Sequence, residues 1–330
     1  MPERAPELGA AWLAAEMDEF VTARPKSAET KIDHLGAALT EQCNPRSENL
    51  EQMSTRELVE LFVEEEKFVQ EALRGAMVEL MSAVELVAKS LRNGGRLFYV
   101  GAGTSGRLGV LDASEIPPTF GTEPDLVQGV IAGGATALYR TVEAAEDEEN
   151  AGAVAISERG VKGGDIVLGI SASGRTPFVL AALRRAKALG ANTIFLACNS
   201  APPAGHRIAA ETAASTAEQA IAADPAASTV FDLTIHLAVG PEILTGSTRL
   251  KAGTATKVAL NIISTGAMVL LGRVRGNLMI DLHTSSTKLR DRATRMIAEL
   301  AQCDYEAARV KLEAGGWNVR AVADEIGRVR

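Results

Sequence analysis

The sequence predicts an α/β fold in which a parallel five-stranded sheet is covered by helices on both faces, flanked by N-terminal helices and a C-terminal all-helical subdomain. Short apolar runs alternate with helical stretches through the middle of the chain, and such alternation favours parallel strand pairing. The five predicted strands are Arg96–Val100, Leu126–Ala132, Asp165–Ser171, Asn192–Cys198 and Phe231–Val239.

Helices are predicted on either side of this core. Apolar residues recur at helical spacing from Ser54 to Leu91, where Ser54 is the predicted N-cap and Glu57 completes a capping box. A long buried helix is predicted over Gly253–Leu271, and the chain beyond Lys288 is predicted to be helical. We therefore divide the chain into a lead-in segment (1–53), a central α/β domain (54–290) and a C-terminal helical subdomain (291–330). The stretch 200–228 is interpreted as a surface excursion.

Composition excludes several classes of function. A net charge of -8 with 4% aromatic residues disfavours a nucleic-acid surface, which needs basic stripes and stacking side chains. No apolar run reaches the roughly 20 residues that span a bilayer, and the acidic N-terminus lacks the features of a signal peptide. Cys43, Cys198 and Cys303 are widely spaced and form no metal-type pair. We expect a reduced cytoplasmic protein without a metal site or a membrane partner.

Three loops dense in glycine and hydroxyl residues follow predicted strands or precede predicted helices. They are Gly103–Gly106, Ser171–Pro177 and Thr245–Thr254. In open parallel sheets ligands bind beyond the carboxyl ends of the strands, and helix N-termini bind anions. One such loop is weak evidence, since ordinary turns and caps look the same, but three together predict a phosphate site. At least one of Arg249 and Lys251 in the third loop is predicted to reach a phosphate or a carboxylate of the ligand, the alternative being a surface pair tied to nearby acids.

The first loop also matches a dinucleotide-binding pattern. Gly101, Gly103 and Gly106 have the spacing of that fingerprint, which requires an acidic residue at the end of the second strand. The second predicted strand ends instead in Ile131-Ala132-Gly133-Gly134. Nicotinamide chemistry is therefore disfavoured.

Two glutamates downstream of the first loop are candidates for proton transfer. Glu115 lies between a predicted helix and Pro117-Pro118, among apolar neighbours that are expected to raise its pKa. Glu146 lies in an acidic run that would ordinarily be solvated surface. Held phosphate and two nearby acids suggest general acid–base chemistry on a phosphorylated metabolite.

At these residues the chain resembles the N-acetylmuramic acid 6-phosphate etherases, a branch of the SIS (sugar isomerase) fold family. The resemblance runs from about Thr40 to about Met296 and implies a SIS-type three-layer sandwich. By resemblance Glu115 is the proton donor and Glu146 the second acid, while Thr104, Ser105, Ser171 and Ser173 hold the sugar phosphate. The motifs that carry it are Gly101–Arg107, Leu111–Gly121, Ile131–Gly134, Glu143–Asp147, Gly169–Pro177, Gly240–Lys257 and Leu260–Met279.

The resemblance implies cleavage of the D-lactyl ether at C3 of the sugar, giving N-acetylglucosamine 6-phosphate and D-lactate in amino-sugar catabolism. Ring opening exposes an aldehyde at C1, which acidifies the proton at C2. A carboxylate then removes that proton while a carboxylic acid protonates the departing lactate oxygen, and water adds at C3. The route needs no metal or organic cofactor. The same fold hosts aldose–ketose isomerases and non-catalytic sugar-phosphate-binding regulators, which remain alternatives. SIS relatives pair, so a homodimer is expected.

The chain departs from the family pattern at several positions. Ala144 replaces a glycine before the second acid, and Ser286 replaces an asparagine near the end of the core. Leu50-Glu51 stands where Ile-Asp is usual, and the 200–228 excursion is longer than in the family. None of these departures removes a proposed catalytic group.

Overall fold

The computed structural model describes residues 39–199 and 231–329, and within them it has one parallel five-stranded sheet. The strands lie in the order β2-β1-β3-β4-β5, and every neighbouring pair is parallel. The strands are β1 (Leu97–Gly101), β2 (Val127–Ile131), β3 (Ile166–Ile170), β4 (Asn192–Ala197) and β5 (Leu233–His236). The predicted fold class is confirmed. The lead-in to residue 38 and the 200–228 excursion lie outside the described residues.

Ten α-helices are assigned in the described residues. They are α1 (Thr55–Glu65), α2 (Lys67–Gly75), α3 (Met77–Arg92), α4 (Gly103–Phe120), α5 (Glu149–Glu158), α6 (Pro177–Ala188), α7 (Lys251–Leu270), α8 (Thr287–Ala301), α9 (Tyr305–Ala314) and α10 (Val319–Val329). The capping box at Ser54 and Glu57 is present. The predicted helical run after it is three successive helices, α1 to α3, because it is interrupted at Glu66 and Ala76.

The two faces of the sheet carry separate cores, since successive strand residues point to opposite sides. Leu97 and Tyr99 of β1 pack on one face with α2, α3, α4 and α7. Phe98 and Val100 pack on the other with α5 and α6. The fold is thus three layers thick, with the sheet between two layers of helices. In such a sheet the loops after the strands gather at one edge, which is where a ligand site is expected.

A third core lies in the C-terminal helices. Residues from α8, α9 and α10 pack together with Ile280 and Leu282. Asp281, between these two, forms ion pairs with Arg273 and Arg320 and so ties α10 to the segment after α7. Helix α8 begins at Thr287, four residues before the predicted subdomain boundary at 291. Ser286 caps it by accepting a hydrogen bond from the amide of Leu289 at 3.3 Å.

Candidate active site

The backbone is tightly packed in the turn between β1 and α4, where two glycines lie against each other. A Cβ at Gly101 would lie 2.6 Å from the amide nitrogen of Gly106, and one at Gly106 would lie 2.7 Å from the carbonyl oxygen of Gly101. Only glycine fits at these two positions. No side chain caps the N-terminus of α4. The first amides of the helix therefore point outward without an internal acceptor, as an anion site requires.

Thr104 and Ser105 lie in the first turn of α4 and are partly buried. No described residue hydrogen-bonds to either hydroxyl group. A Cβ at Gly253 of α7 would be 3.6 Å from the Cγ2 atom of Thr104, so the start of α7 lies beside this turn. The first and third predicted loops are therefore brought together.

The loop after β3 places its two serines differently. Ser171 is 1% exposed, and its hydroxyl lies 2.8 Å from that of Thr176 and accepts a hydrogen bond from the Thr176 amide at 3.3 Å. Ser173 is partly exposed, and its hydroxyl accepts from the Arg175 amide at 3.3 Å. The sequence predicted that Ser171 contacts the ligand. In the structure its hydroxyl is buried and hydrogen-bonded to Thr176 within the loop. Ser173 keeps an accessible hydroxyl.

The N-terminus of α7 is occupied by a carboxylate from within the chain. Glu242 is fully buried and accepts hydrogen bonds from the amides of Lys251 at 3.0 Å and Ala252 at 2.9 Å. Burial raises the pKa of Glu242, although these two hydrogen bonds and the charge of Lys251 act in the opposite direction. The anion position at this helix end is therefore filled, and the third loop has no free helix terminus to offer a phosphate.

Lys251 belongs to a buried ionic cluster and not to an open pocket. Its side chain is 2% exposed, donates a hydrogen bond to Glu65 of α1, and lies 4.9 Å from the ring centroid of Phe68. Glu65 also accepts from Asn44 and Arg46, each at 2.8 Å. Burial acts to raise the pKa of Glu65, but the hydrogen bonds from Lys251, Asn44 and Arg46 and the charge of Lys251 together outweigh it, and the pKa is lowered. The prediction that Lys251 reaches a ligand is thus at odds with its placement, because internal partners already satisfy the ammonium group.

Arg249, two residues earlier, has the opposite placement. It is exposed and forms no ion pair with any described residue. It therefore remains a candidate for binding an anionic group of a ligand.

Glu115 is farther from the predicted phosphate loop than the sequence suggested. Helix α4 continues through Pro117 and Pro118 to Phe120, so Glu115 lies within the helix and twelve residues after Gly103. At a rise of 1.5 Å per residue this is about 18 Å along the helix axis. The sequence predicted that apolar neighbours enclose Glu115, but in the structure Glu115 is exposed. One hexose phosphate is too short to contact both ends of this helix in a single chain.

Glu146 lies in a short 3-10 helix, Ala145–Asp147, which packs against α6. Its side chain is exposed and hydrogen-bonds to no described residue. Ala144, just before it, has φ 59° and ψ -3°, a left-handed conformation that is unfavourable for alanine. Glycine, which the resemblance implies at this position, would adopt this conformation without strain. The departure at Ala144 therefore stores backbone strain next to the second acid.

Sequence reasoning missed a buried polar network beside Glu115. Asp112 is 6% exposed and accepts hydrogen bonds from the Tyr99 hydroxyl at 2.8 Å, the Asn261 amide at 2.7 Å and the Ser264 hydroxyl at 3.2 Å. Burial raises the pKa of Tyr99 well above 10, and the charge of Asp112 adds to this effect. The signal in the sequence was an aspartate on the apolar side of a helix, which buries a charge at a cost. Sequence reasoning also missed the buried carboxylates of Glu65, on α1, and Glu242, in the segment between β5 and α7.

His236 is the last residue of β5 and lies at the carboxyl edge of the sheet. It is half-buried, and burial lowers its pKa.

Within residues 39–199 and 231–329 there is no group of three or more His, Cys, Asp or Glu side chains arranged to hold a metal ion. None of the helices in those ranges is long and apolar enough to cross a membrane.

The fold and this edge of the sheet define a SIS-type domain, and residues 79–187 match the family described as the glucokinase regulatory protein N-terminal SIS domain. Over most of its length the chain is similar to curated N-acetylmuramic acid 6-phosphate etherases. It is 51% identical over 289 residues to that of Crocosphaera subtropica, covering 88% of this chain and 87% of the relative. For the etherase of Trichormus variabilis the values are 52% over 285 residues, with 86% and 85% covered. The chain belongs to the N-acetylmuramic acid 6-phosphate etherase family.

Solved structures with a similar fold are more distant. Phosphoheptose isomerase GmhA from Neisseria gonorrhoeae is 18% identical with a TM-score of 0.42, covering 66% of this chain and 98% of that one. The E. coli CFT073 protein c3406 in complex with A5P is 19% identical with a TM-score of 0.45, covering 68% and 97%.

Proposed function

We propose that this protein cleaves the D-lactyl ether of N-acetylmuramic acid 6-phosphate, releasing D-lactate and N-acetylglucosamine 6-phosphate by elimination and hydration. The observation that carries the proposal is about 50% identity to curated etherases over 86–88% of the chain. The protein is a carbon–oxygen lyase. The uncapped start of α4, with the hydroxyls of Thr104 and Ser105, suits the dianionic phosphate of such a substrate.

Two carboxyl groups divide the proton transfers in this proposal. Glu115 protonates the departing lactate oxygen, and Glu146 removes the C2 proton or orients the sugar for its removal. Both side chains are exposed in the single chain and hydrogen-bond to no described residue, so both are available to a substrate. Ser173 and Arg249 contribute further polar contacts to the ligand's anionic groups. Replacement of Glu115 by glutamine is expected to lower turnover by roughly 10²–10⁴ with substrate binding retained, the usual contribution of a positioned general acid.

Release of D-lactate tests the function directly. The protein is incubated with N-acetylmuramic acid 6-phosphate and with its unphosphorylated form, and lactate is measured with a coupled dehydrogenase. Lactate from the phosphorylated substrate alone supports the proposal. The match of residues 79–187 to a regulatory SIS domain favours, as a second candidate, a protein that binds sugar phosphate without converting it. Binding of substrate without lactate release would favour this regulator.

We also propose that the protein is a homodimer whose sites are shared between two copies. Exposed apolar side chains lie on α3, α4 and α7, the helices that form one outer layer of the fold: Met77, Val78, Met81, Leu111, Ile262 and Val269. Exposed apolar side chains on helices that pack side by side are typical of an interface. Glu115 lies one helical turn from Leu111, on that same surface. A partner chain on this face would bring Glu115 to the phosphate loops of the other copy, which its own chain cannot do.

Mixed dimers test this arrangement. Glu115→Gln disables the acid, and Ser105→Asp introduces a charge that repels phosphate. If each site takes Glu115 from one copy and the loop from the other, equal mixing of the two inactive variants restores about a quarter of wild-type activity through hybrid dimers. No recovery after verified subunit exchange would contradict the shared site. Ile262→Glu is expected to yield monomers in sedimentation experiments, with activity lost in parallel.

The cytoplasm is the proposed location of the protein. None of its three cysteines forms a disulfide, and Cys43 is exposed as a free thiol. Free thiols are kept reduced in the cytoplasm. Fractionation of cells that produce the protein tests this, and recovery in an extracytoplasmic fraction would contradict it.

A further inference from the structure

The feature that the proposed chemistry does not use is the buried network around Asp112. Its carboxylate connects three elements, because Tyr99 belongs to β1, Asp112 to α4, and Asn261 and Ser264 to α7. No described residue forms an ion pair with Asp112, and all three donors are neutral groups. Burying a carboxylate without a cation is costly, and a well-packed apolar side chain would ordinarily be at least as stable. The main effect of such a network is to fix the relative arrangement of the elements that it connects, and its contribution to stability is smaller.

The geometry that it fixes is that of α4 at Glu115. Asp112 and Glu115 are three residues apart, so they lie on adjoining faces of the helix, one against α7 and the other toward solvent. Three hydrogen bonds to Asp112 from β1 and α7 hold the rotation of α4 about its axis. The direction in which Glu115 points follows from that rotation.

The backbone around Glu115 is unusually weakly held. Pro117 and Pro118 lie inside α4, and proline has no amide hydrogen. The carbonyl groups of Ala113 and Ser114 therefore lack their usual helical donors four residues later. Both missing hydrogen bonds would span Glu115, so the position of this turn depends more on side-chain contacts to its neighbours.

We propose that Asp112 is a positioning residue that, through its hydrogen bonds to Tyr99, Asn261 and Ser264, fixes the orientation of Glu115 for proton donation. This inference rests on the proposed function, in which Glu115 is the general acid. Asp112 itself touches no substrate. Its effect should therefore appear in turnover and depend on the presence of Glu115.

The test is Asp112→Asn, which keeps the size of the side chain but cannot accept all three hydrogen bonds. We expect turnover for lactate release to fall roughly 10- to 100-fold, the effect of a small misplacement of a catalytic group, with the Michaelis constant changed less than about twofold. Asn261→Ala removes one donor from α7 and is expected to shift turnover in the same direction, which provides a second variant if Asp112→Asn does not fold. The matched control is Asp165→Asn. Asp165 is also buried, but it pairs with Arg96 just before β3 and shares no hydrogen-bond partner with Asp112 among the described residues. Its replacement should therefore change stability and leave turnover unaltered.

A double-mutant cycle separates positioning from a structural role. In the Glu115→Gln background the further change Asp112→Asn should have little effect on the residual turnover, because the group that it positions is already absent. Equal fold-losses in both backgrounds, or normal turnover of folded Asp112→Asn in an active enzyme, would overturn the inference. Absence of lactate release from the wild-type protein would instead overturn the proposed function. Normal turnover of Glu115→Gln would leave that function standing and would remove the general acid on which this inference rests.

Discussion

Helices α4 and α7 both begin at the carboxyl edge of the sheet. The glycine- and hydroxyl-rich segment forms the first turn of α4, whereas at α7 it leads into the helix. At α4 no side chain caps the helix, and the hydroxyls of Thr104 and Ser105 hydrogen-bond to no described residue. At α7 the carboxylate of Glu242 accepts from the first amides, and Lys251 is buried against Glu65. The two ends share the electrostatics of a helix N-terminus, but α4 is open to an external anion and α7 already holds an internal one.

This difference shows what a glycine- and serine-rich loop can and cannot indicate. The composition of such a loop indicates a helix N-terminus, whose first amide groups need hydrogen-bond acceptors. It does not indicate whether a ligand or another part of the chain provides those acceptors. The internal acceptor at α7, Glu242, lies nine residues before Lys251. The counter-ion of Lys251 is 186 residues away, on α1. The comparison predicts that substitutions at α7 change stability and those at α4 change substrate binding.

The largest effect is expected for Lys251→Met. It leaves Glu65 buried without its closest cation, which should lower the free energy of unfolding by about 3–5 kcal/mol in urea titrations. The double variant Glu65→Gln with Lys251→Met should recover much of this loss, because the uncompensated charge is removed as well. A strong rise in the Michaelis constant with unchanged stability would instead mean that Lys251 serves a ligand and that the two helix ends are alike.

Arg249→Met is the matched control for this prediction, because Arg249 lies two residues away in the same loop but is exposed. If it contacts an anionic group of the substrate, the Michaelis constant should rise roughly 10- to 100-fold, the value of a charged hydrogen bond, without a change in urea unfolding. Substrate analogues that lack the phosphate or the lactyl carboxylate would identify the group that it contacts.

At the open end, Ser105→Ala is expected to weaken substrate binding by about 0.5–3 kcal/mol through loss of one hydrogen bond to the phosphate. The stability of the protein should be unaffected, because no described residue depends on this hydroxyl. Michaelis constants measured with phosphorylated and unphosphorylated substrate check the assignment. An equal effect on both substrates would show that the start of α4 does not hold the phosphate.

A smaller contrast is expected within the loop after β3. Ser171→Ala removes the buried hydrogen bonds to Thr176 and should lower the free energy of unfolding by about 0.5–1.5 kcal/mol. Ser173→Ala should leave unfolding unchanged and raise the Michaelis constant instead. The reverse pattern would contradict the roles that burial assigns to the two serines.

The smallest effect concerns pH and again separates the closed end from the open one. Because its pKa is lowered in the folded protein, Glu65 contributes stability that is present above the unfolded value of 4.5 and is lost as the pH falls through the lower folded value. The unfolding free energy of the wild type should therefore decrease more steeply on acidification below pH 4.5 than that of Glu65→Gln. Equal slopes for the two proteins would mean that Glu65 is not held ionised by Lys251.

The sequence by itself determined the fold class and the identity of the chemical groups. Strand and helix periodicity located all five strands to within a few residues, because burial on both faces of a parallel sheet requires continuous apolar runs. The motifs from Gly101 to Met279 were sufficient to indicate the etherase family, and Gly101 and Gly106 could be read as a close turn. These are local properties, since they depend on neighbouring residues and on their spacing.

Tertiary structure decided which of these groups are free. The burial of Lys251 and Ser171, the occupation of α7 by Glu242, and the anchoring of Asp112 by Asn261 all involve partners on other elements of the chain. The position of Glu115 depends on α4 continuing through Pro117 and Pro118, where proline ordinarily predicts a helix end. Local sequence does not encode such pairings, because a charged side chain reads the same whether its partner is water, a ligand or a residue nearly two hundred positions away.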